Sequence, residues 1–344
     1  ELRLDGVGDV DVRQALHGRR RPVVVTCRPT WEGGQFDGSE DERRRILHAA
    51  LDAGAEYVDV EWRAGFSDVI ASAPDRVVVS AHDFSGVPAD LPAQAAEMRR
   101  TGAGVIKVAV TAHRLTDTLV LREVAAGGPA VVIAMGDAGV TTRILAGRFG
   151  SLWSYAGRAV APGQIPGPRL VSEFRFRAIG PDTALYGVLG NNVAHSLSPL
   201  MHNAAFGAAG IDAVYVPLLA ADIDDFLTFA DALAVRGASV TIPYKMDALA
   251  AASSSDDLTR RVGAANTLRR AADGRSWEAT NTDVGGFLDA LRVVYPASLT
   301  GARVAVLGAG GAVRAVVVGL VDAGASVTVH ARRPEQARQV VVDC

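Results

Sequence analysis

Cysteine is nearly absent from this sequence: there are two in 344 residues, Cys27 and Cys344, far apart in the chain. That excludes a framework of structural disulfides and leads us to expect a reducing, cytoplasmic compartment. An excess of one charge is also lacking. The net charge is −3, with 35 Lys and Arg against 38 Asp and Glu, so there is no electrostatic case for nucleic acid. No apolar run approaches the ~20 residues of a membrane span. No metal is expected. The sequence does not start with Met, and Glu1-Leu2-Arg3-Leu4-Asp5 already reads as the middle of a strand. Cys344 falls inside an apparent helix, so a fragment truncated at both ends is expected.

The composition, 49% hydrophobic and 21% charged, is that of an ordinary soluble protein with room for two or more domains. Apolar runs with strand character recur at 23–26, 57–62, 76–80, 105–110, 130–135 and 152–156, preceded by 1–4. Helix-like segments at 40–53, 91–101 and 115–126 separate most of them. Strand alternating with helix implies parallel strands joined by crossovers. Seven such strands with a first one cut off predict a (β/α)8 TIM barrel over residues 1–172, with its chemistry at the C-terminal strand ends. Arg3, Arg28, His82, Lys107 and Arg143 collect at those ends. Residues 173–183 read as a linker. Further strands are expected at 184–189, 213–218, 238–242, 302–307 and 326–330. They predict an α/β substrate lobe over 184–300, then the first half of a Rossmann nucleotide domain over 301–344.

Two residues of the first half carry chemistry in their context. Lys107 lies inside the apolar strand Val105-Ile106-Lys107-Val108-Ala109-Val110. Burial there would lower its pKa and favour a neutral amine able to attack a ketone as a Schiff base. By itself it reads equally as a snorkelling or ion-paired lysine. His82, in Ser80-Ala81-His82-Asp83-Phe84, has the pKa range for general acid and base work, or is a structural histidine. Glu32 would raise its basicity if adjacent.

Taken together, these strings resemble the type I 3-dehydroquinate dehydratases. Glu1-Leu2-Arg3-Leu4-Asp5 is similar to the family's Glu-x-Arg-x-Asp strand. Thr26 to Gly34 is similar to its Thr-x-Arg-x-x-x-Glu-Gly-Gly. His82-Asp83-Phe84, Lys107, Gly139-Val140-Thr141-Thr142-Arg143 and Ala161-Pro162-Gly163-Gln164 complete the set. The resemblance covers residues 1 to about 172. It implies Lys107 as the Schiff-base lysine, His82 as proton carrier assisted by Glu32, and Arg143 on the substrate carboxylate. Glu1, Arg3, Arg28 and Gln164 would contact hydroxyl and carbonyl groups. Val160 stands where the family often has serine. Glu61-Trp62-Arg63 echoes the first motif but follows Glu32-Gly33-Gly34, and reads as a structural part of a later strand.

In the second half, Gly190-Asn191-Asn192-Val193-Ala194-His195-Ser196-Leu197-Ser198-Pro199 runs from a strand into a helix. Pro199 suits a first helical turn. The hydroxyls of Ser196 and Ser198 then sit beside free helix N–H groups, a place for a carboxylate, or form a plain helix cap. Lys245 follows Val240-Thr241-Ile242-Pro243-Tyr244, Asn266 lies in Gly263-Ala264-Ala265-Asn266-Thr267, and Asp283 follows Asn281-Thr282. A Lys–Asp pair near a carbonyl can donate a proton as hydride arrives; singly, the two read as a surface lysine and a helix cap.

As a set these strings resemble shikimate dehydrogenases. That implies Lys245 and Asp283 as catalytic pair, with Ser196, Ser198, Thr241, Asn266 and Thr282 gripping substrate. Asn192 replaces the family's usual proline. Strand 304–307 enters a glycine turn, Gly308-Ala309-Gly310-Gly311-Ala312, in the strand–turn–helix context of a dinucleotide site. Val313 departs from the general fingerprint at its third glycine. After the second strand come Ala331, Arg332 and Arg333, with no acid for an NAD ribose, which points to NADP through charged hydrogen bonds to a 2′-phosphate. The family commonly has asparagine where this chain has Ala331. The joint resemblance implies a bifunctional enzyme that dehydrates 3-dehydroquinate to 3-dehydroshikimate and reduces that to shikimate. Its partners would be these small molecules, without nucleic acid or membrane. The alternatives are a quinate-preferring dehydrogenase and a non-catalytic quinate-sensing repressor.

Overall fold

The Val-, Ile- and Ala-rich runs of the first half are buried on both faces, the pattern of parallel strands covered by helices. The computed structural model describes residues 1–7, 11–157 and 163–343. It divides into two units, Glu1–His113 with Asp117–Leu170, and Arg114–Thr116 with Val171–Cys344. In the first, six strands form a parallel sheet in sequence order: β1 (Leu2–Arg3), β2 (Val24–Thr26), β3 (Tyr57–Glu61), β4 (Val77–Asp83), β5 (Val105–Thr111) and β6 (Ala130–Met135). Helices such as Glu40–Asp52 and Leu91–Arg100 make the crossovers.

Side chains two apart share a face of a strand, and this period sorts the chemistry. Val105, Ala109, Val131, Ile133 and Met135 join Val78 in one apolar cluster, with Tyr57, Trp153 and Tyr155 against it. Lys107 lies between Val105 and Ala109 on that face, and Ser80 and His82 continue the face begun by Val78. Register places Glu61 beside Ser80 and Ser80 beside Lys107. One end of the face is therefore apolar, and the end toward the strand C-termini is polar.

Residues 152–156, expected as a seventh strand, are irregular. Leu152 N–H does reach Ala130 O at 2.9 Å. The next ladder donor, Val132 N–H, is taken instead by the Ser151 hydroxyl at 3.1 Å, and that hydroxyl donates to Trp153 O at 2.8 Å. A side chain has replaced the backbone ladder, so the sheet has six strands among the described residues. The helix expected over 115–126 also begins late: Thr116–Thr118 is a separate 3-10 turn and the helix runs Val120–Ala126.

In the second unit, β7 (Ala184–Gly190), β8 (Ala213–Leu219), β9 (Val235–Val240), β10 (Ser254–Ser255), β11 (Thr267–Arg270) and β12 (Trp277–Thr280) form a mixed sheet, in the order β10-β12-β11-β9-β7-β8. The strand expected at 238–242 lies earlier, with Thr241 N–H still bonded to Leu189 O at 2.9 Å. The antiparallel β11–β12 hairpin was not expected. Its arginines hide the alternation, since Leu268 and Ala279 are buried and paired while Arg269 is exposed. The Asp273 carboxylate turns the hairpin by accepting Arg275 and Ser276 N–H groups, both at 2.8 Å. β13 (Arg303–Leu307) and β14 (Ser326–His330) pair in parallel around the helix Gly311–Asp322. That helix packs on Asp257–Val262 and Asp283–Val294 through Val262, Ala264, Val284, Ala315 and Val318. No described helix is long and apolar enough to cross a membrane.

Among the described residues, the outer edge of β8 has no strand partner. There the buried Asn203 amide accepts Tyr215 N–H and donates to Tyr215 O, both at 2.8 Å, which ties helix Ser198–Ala208 to the sheet. Asn203→Ala would strand both backbone groups. A loss of about 2 kcal/mol is expected, read as a lower denaturant midpoint of the second unit. An unchanged midpoint would show that the bridge is dispensable.

Candidate functional sites

The polar end of the first sheet opens into a cavity of about 130 Å³. Glu1, Arg3, Arg28, Glu32, His82, Lys107, Arg143 and Gln164 all line it, with Phe84 and Tyr155. These are the eight residues singled out from the first half of the sequence. Val160, Ala161 and Pro162 lie outside the described residues.

Local structure explains the convergence. Glu32 sits on the 3-10 turn Thr30–Glu32. A Cβ on Gly34 would lie 2.0 Å from Arg28 O, so only glycine lets that turn fold back on Arg28. Glu32 then reaches β4: Oε1 accepts the His82 backbone N–H at 2.8 Å and lies 3.4 Å from His82 Nδ1. Arg143 enters from the helix Val140–Ile144, which Thr142 fixes to β6 by accepting Ala134 N–H at 3.0 Å.

Asp59, which sequence reasoning missed, is the hub. It is fully buried, and its Oδ2 lies 2.9 Å from both Lys107 Nζ and Arg28 Nη2. Its Oδ1 accepts the Ser80 hydroxyl at 2.5 Å, and Ser80 in turn accepts Arg28 Nη1 at 2.8 Å. Glu1 Oε1 accepts from Thr26 at 2.8 Å and stands 3.9 Å from Lys107 Nζ. Tyr155 holds its ring 4.5 Å from that nitrogen. The signal was present as two acids at alternate positions of an otherwise buried strand, Asp59 and Glu61.

These contacts correct one expectation. Burial does push the Lys107 pKa down, but the Asp59 carboxylate and then Tyr155 outweigh it, and the net shift is upward. Resting Lys107 is an ammonium, not a free amine. His82 behaves oppositely: burial, with the positive Arg28 and Lys107, takes it down to about 4 against the upward pull of Glu32. At neutral pH its imidazole is uncharged and able to accept a proton. Burial also lowers Arg143, to about 10.

A second constellation stands at the C-terminal ends of β9 and β12. Lys245 Nζ donates to Asp283 Oδ2 at 2.5 Å. Asn266 Nδ2 donates to Asp283 Oδ1 and to Thr282 Oγ1, both at 2.8 Å. Asn281, also missed from sequence, accepts Asp283 N–H at 2.9 Å and donates to Ala264 O at 2.7 Å. Asp283 opens helix Asp283–Val294, where the helix N-terminus favours a carboxylate. Thr241 leaves the sheet beside Gly190, where the loop bearing Ser196 and Ser198 begins. Ser196 Oγ accepts Ser198 N–H at 3.2 Å, a local turn just ahead of the N-cap residue Leu197, which itself makes no side-chain cap bond.

Gly308, Ala309 and Gly310 face Arg332 and Arg333 across a cleft of about 690 Å³. Space is open where a Gly310 side chain would project, whereas one on Gly311 would meet Lys245 Cβ at 3.1 Å. Both arginines are exposed. A strand, an open glycine turn, a helix N-terminus and two free-standing cations fit a dinucleotide phosphate. Ala312 continues into the helix.

A buried lysine, a neutral histidine and several arginines around one cavity at strand ends make a site chemically suited to a small anionic molecule. The chain belongs to the type I 3-dehydroquinase family, whose model matches residues 1–180. A model described as the shikimate dehydrogenase substrate binding domain matches residues 188–268. The bifunctional 3-dehydroquinate dehydratase/shikimate dehydrogenase, chloroplastic, of Arabidopsis thaliana is 35% identical over 371 aligned positions, covering 99% of this chain and 61% of that protein. Shikimate dehydrogenase (NADP(+)) of Anaeromyxobacter dehalogenans is 47% identical over 165, covering 47% of this chain and 57% of that one. The chain thus spans about three fifths of the length of these relatives. Among solved structures, shikimate dehydrogenase from Aquifex aeolicus is 36% identical with a TM-score of 0.45, covering 48% of this chain and 62% of that one.

Asp59→Asn is expected to lower the Lys107 pKa, because burial and Arg28 then act without their counterweight. Labelling of Lys107 by a small acylating reagent, followed by peptide mass across pH, should shift to lower pH. The linkage sign agrees. A raised lysine pKa contributes stability below the ordinary value of about 10.5, lost as pH climbs through the folded value. A labelling profile identical to wild type would refute the Asp59 role.

Proposed function

We propose that this chain catalyses two consecutive steps, dehydration of 3-dehydroquinate to 3-dehydroshikimate and NADPH-dependent reduction of that product to shikimate. The observation that carries the reading is the convergence of Lys107, His82, Glu32, Arg28 and Arg143 on one cavity. We assign residues 1–172 to the dehydratase, 173–183 to a linker, 184–300 to the substrate lobe and 301–344 to the nucleotide lobe. A cytoplasmic setting suits Cys27, whose thiol burial pushes up to about 12.

In the first step Lys107 sheds a proton, which neutral His82 is able to take, and attacks the substrate ketone. His82 returns that proton to the carbinolamine hydroxyl, which leaves as water; His82 is neutral again, and the protonated imine nitrogen keeps the ammonium's positive charge beside Asp59. The charge Asp59 stabilises is therefore the same before and after the bond forms. The imine acidifies the neighbouring C–H, and His82 removes that proton. The departing hydroxyl takes a proton back from His82 and leaves as water; hydrolysis of the imine frees the enone. Arg143 holds the substrate carboxylate, while Arg28, Arg3, Glu1 and Gln164 orient its oxygens.

In the second step Ser196 and Ser198 take the carboxylate, with Thr241, Asn266 and Thr282 on the hydroxyls. Lys245, held by Asp283, gives a proton to the carbonyl oxygen. NADPH, when bound, supplies the hydride. Gly308 to Ala312 would carry its pyrophosphate, and Arg332 with Arg333 its 2′-phosphate.

Borohydride added with 3-dehydroquinate should leave a stable adduct on the peptide containing Lys107. No adduct, or one on Lys245, would overturn the dehydratase reading. For the second half, replacing Arg332 and Arg333 by alanine should weaken NADPH binding about tenfold per lost charged pair and leave NADH binding unchanged. Equal affinity of the unmutated chain for the two nucleotides, by fluorescence titration, would exclude the arginine assignment.

A further inference from the structure

The dehydratase reading employs Arg28, Lys107 and His82 but gives no role to a second guanidinium one layer behind them. Arg43, on helix Glu40–Asp52, is fully buried. Its charge lies over the Phe66 ring at 4.6 Å and the Trp31 ring at 5.7 Å. It donates to the carboxylates of Glu61 and Glu40. Glu61 is also fully buried, and its second oxygen lies 3.0 Å from Arg28 Nη1. That contact lacks hydrogen-bond alignment. One carboxylate thus stands between a guanidinium inside the cavity and one outside it.

Stability alone does not account for this arrangement, because a well-packed apolar pair of the same shape is often as stable as a buried ion pair. Arg28 supplies the reason. It shares Asp59 Oδ2 with Lys107, each at 2.9 Å. When Lys107 passes from ammonium to imine it loses two of its three N–H donors, and its hold on Asp59 changes. An Arg28 fixed only by Asp59, and by Ser80 whose hydroxyl is itself bonded to Asp59, would move with that change. Glu61 gives it an anchor independent of Lys107. Arg43 reaches the other support as well: Trp31 Nε1 donates to Glu40 at 3.2 Å, and the next residue is Glu32, which holds His82.

We propose that Arg43 and Glu61 are positioning residues of the dehydratase cavity. Glu61 sets Arg28 from behind, and Arg43 sets Glu61 while bracing, through Glu40 and Trp31, the turn that carries Glu32. This rests on the dehydratase reading. The test measures the rate of borohydride-trapped adduct on Lys107 against 3-dehydroquinate concentration, by intact mass, in the full chain, with a thermal melt for each variant.

In Glu61→Gln the amide NH2 must face one of the two guanidiniums. The half-saturating 3-dehydroquinate concentration should rise about tenfold or more in a protein that still melts cooperatively. Arg43→Met should show the same rise, and Arg43→Lys should recover part of it. Folded Glu61→Gln and Arg43→Met proteins with wild-type concentration dependence would overturn the proposal. Should either variant fail to fold, Glu61→Asp decides: it keeps the charge but withdraws it by one methylene. A raised half-saturating concentration then supports positioning, and an unchanged one overturns it. A wild-type chain that traps nothing overturns the dehydratase reading and this inference with it.

Discussion

Everything in the first cavity depends on one carboxylate held in common. Asp59 is fully buried, with two cations at 2.9 Å from a single oxygen. A lone buried carboxylate would be protonated. This one is held well below the usual carboxylate range by Arg28 and Lys107. In exchange it keeps both cations charged and in place. The same local field holds His82 neutral, since the two cations add to the effect of its burial. One ion cluster therefore sets opposite protonation states in neighbouring groups.

The backbone supplies this cluster through strand alternation. Parallel strands bring every second side chain to one face, and the register of β3, β4 and β5 puts Glu61, Ser80 and Lys107 in one row. Apolar residues fill the rest of that face: Val78 and Val105 lie one step earlier, and Val131 pairs with Lys107 itself. They form a dry floor beneath the charges. Burial without that floor would admit water, and the electrostatic contrast between Lys107 and His82 would weaken.

Much of this was legible in the sequence, for stated reasons. Long Val/Ile runs separated by helical segments have few structural solutions, so β3 to β6 lie close to where they were expected. Glu32, His82, Lys107 and Arg143 stood out because each interrupts a pattern. Asp59 did not, because a single acid inside a valine run looks the same whether it faces solvent or a lysine. The direction of the Lys107 shift was misread for the same reason: burial can be inferred from a run of valines, but the partner on another strand cannot. The β11–β12 hairpin was missed because Arg269 and Arg270 mask its alternation, and Arg270 covers Trp277 at 4.0 Å. Residues 152–156 have the composition of a strand, yet one serine hydroxyl takes the donor that would have extended the ladder.

The chain contains two lysine–carboxylate pairs, and their surroundings separate their chemistry. Lys107 shares Asp59 with an arginine, has a neutral histidine on the same cavity, and faces a space of about 130 Å³. An amine there can lose its proton to a neighbour and bond to carbon. Lys245 has Asp283 at 2.5 Å, and Asp283 is itself fixed by Asn266 and Asn281. Among the described residues, these partners include no histidine to take a proton from it. Instead its Cβ abuts Gly311, the first residue of the helix that follows the glycine turn. Any side chain at that position would push on the lysine. The start of that helix and Lys245 are thus close-packed because residue 311 carries no side chain. Both lysines stand against a carboxylate, Lys107 at 2.9 Å and Lys245 at 2.5 Å. What separates them is the second neighbour: a histidine on the same cavity for Lys107, and the helix behind the glycine turn for Lys245.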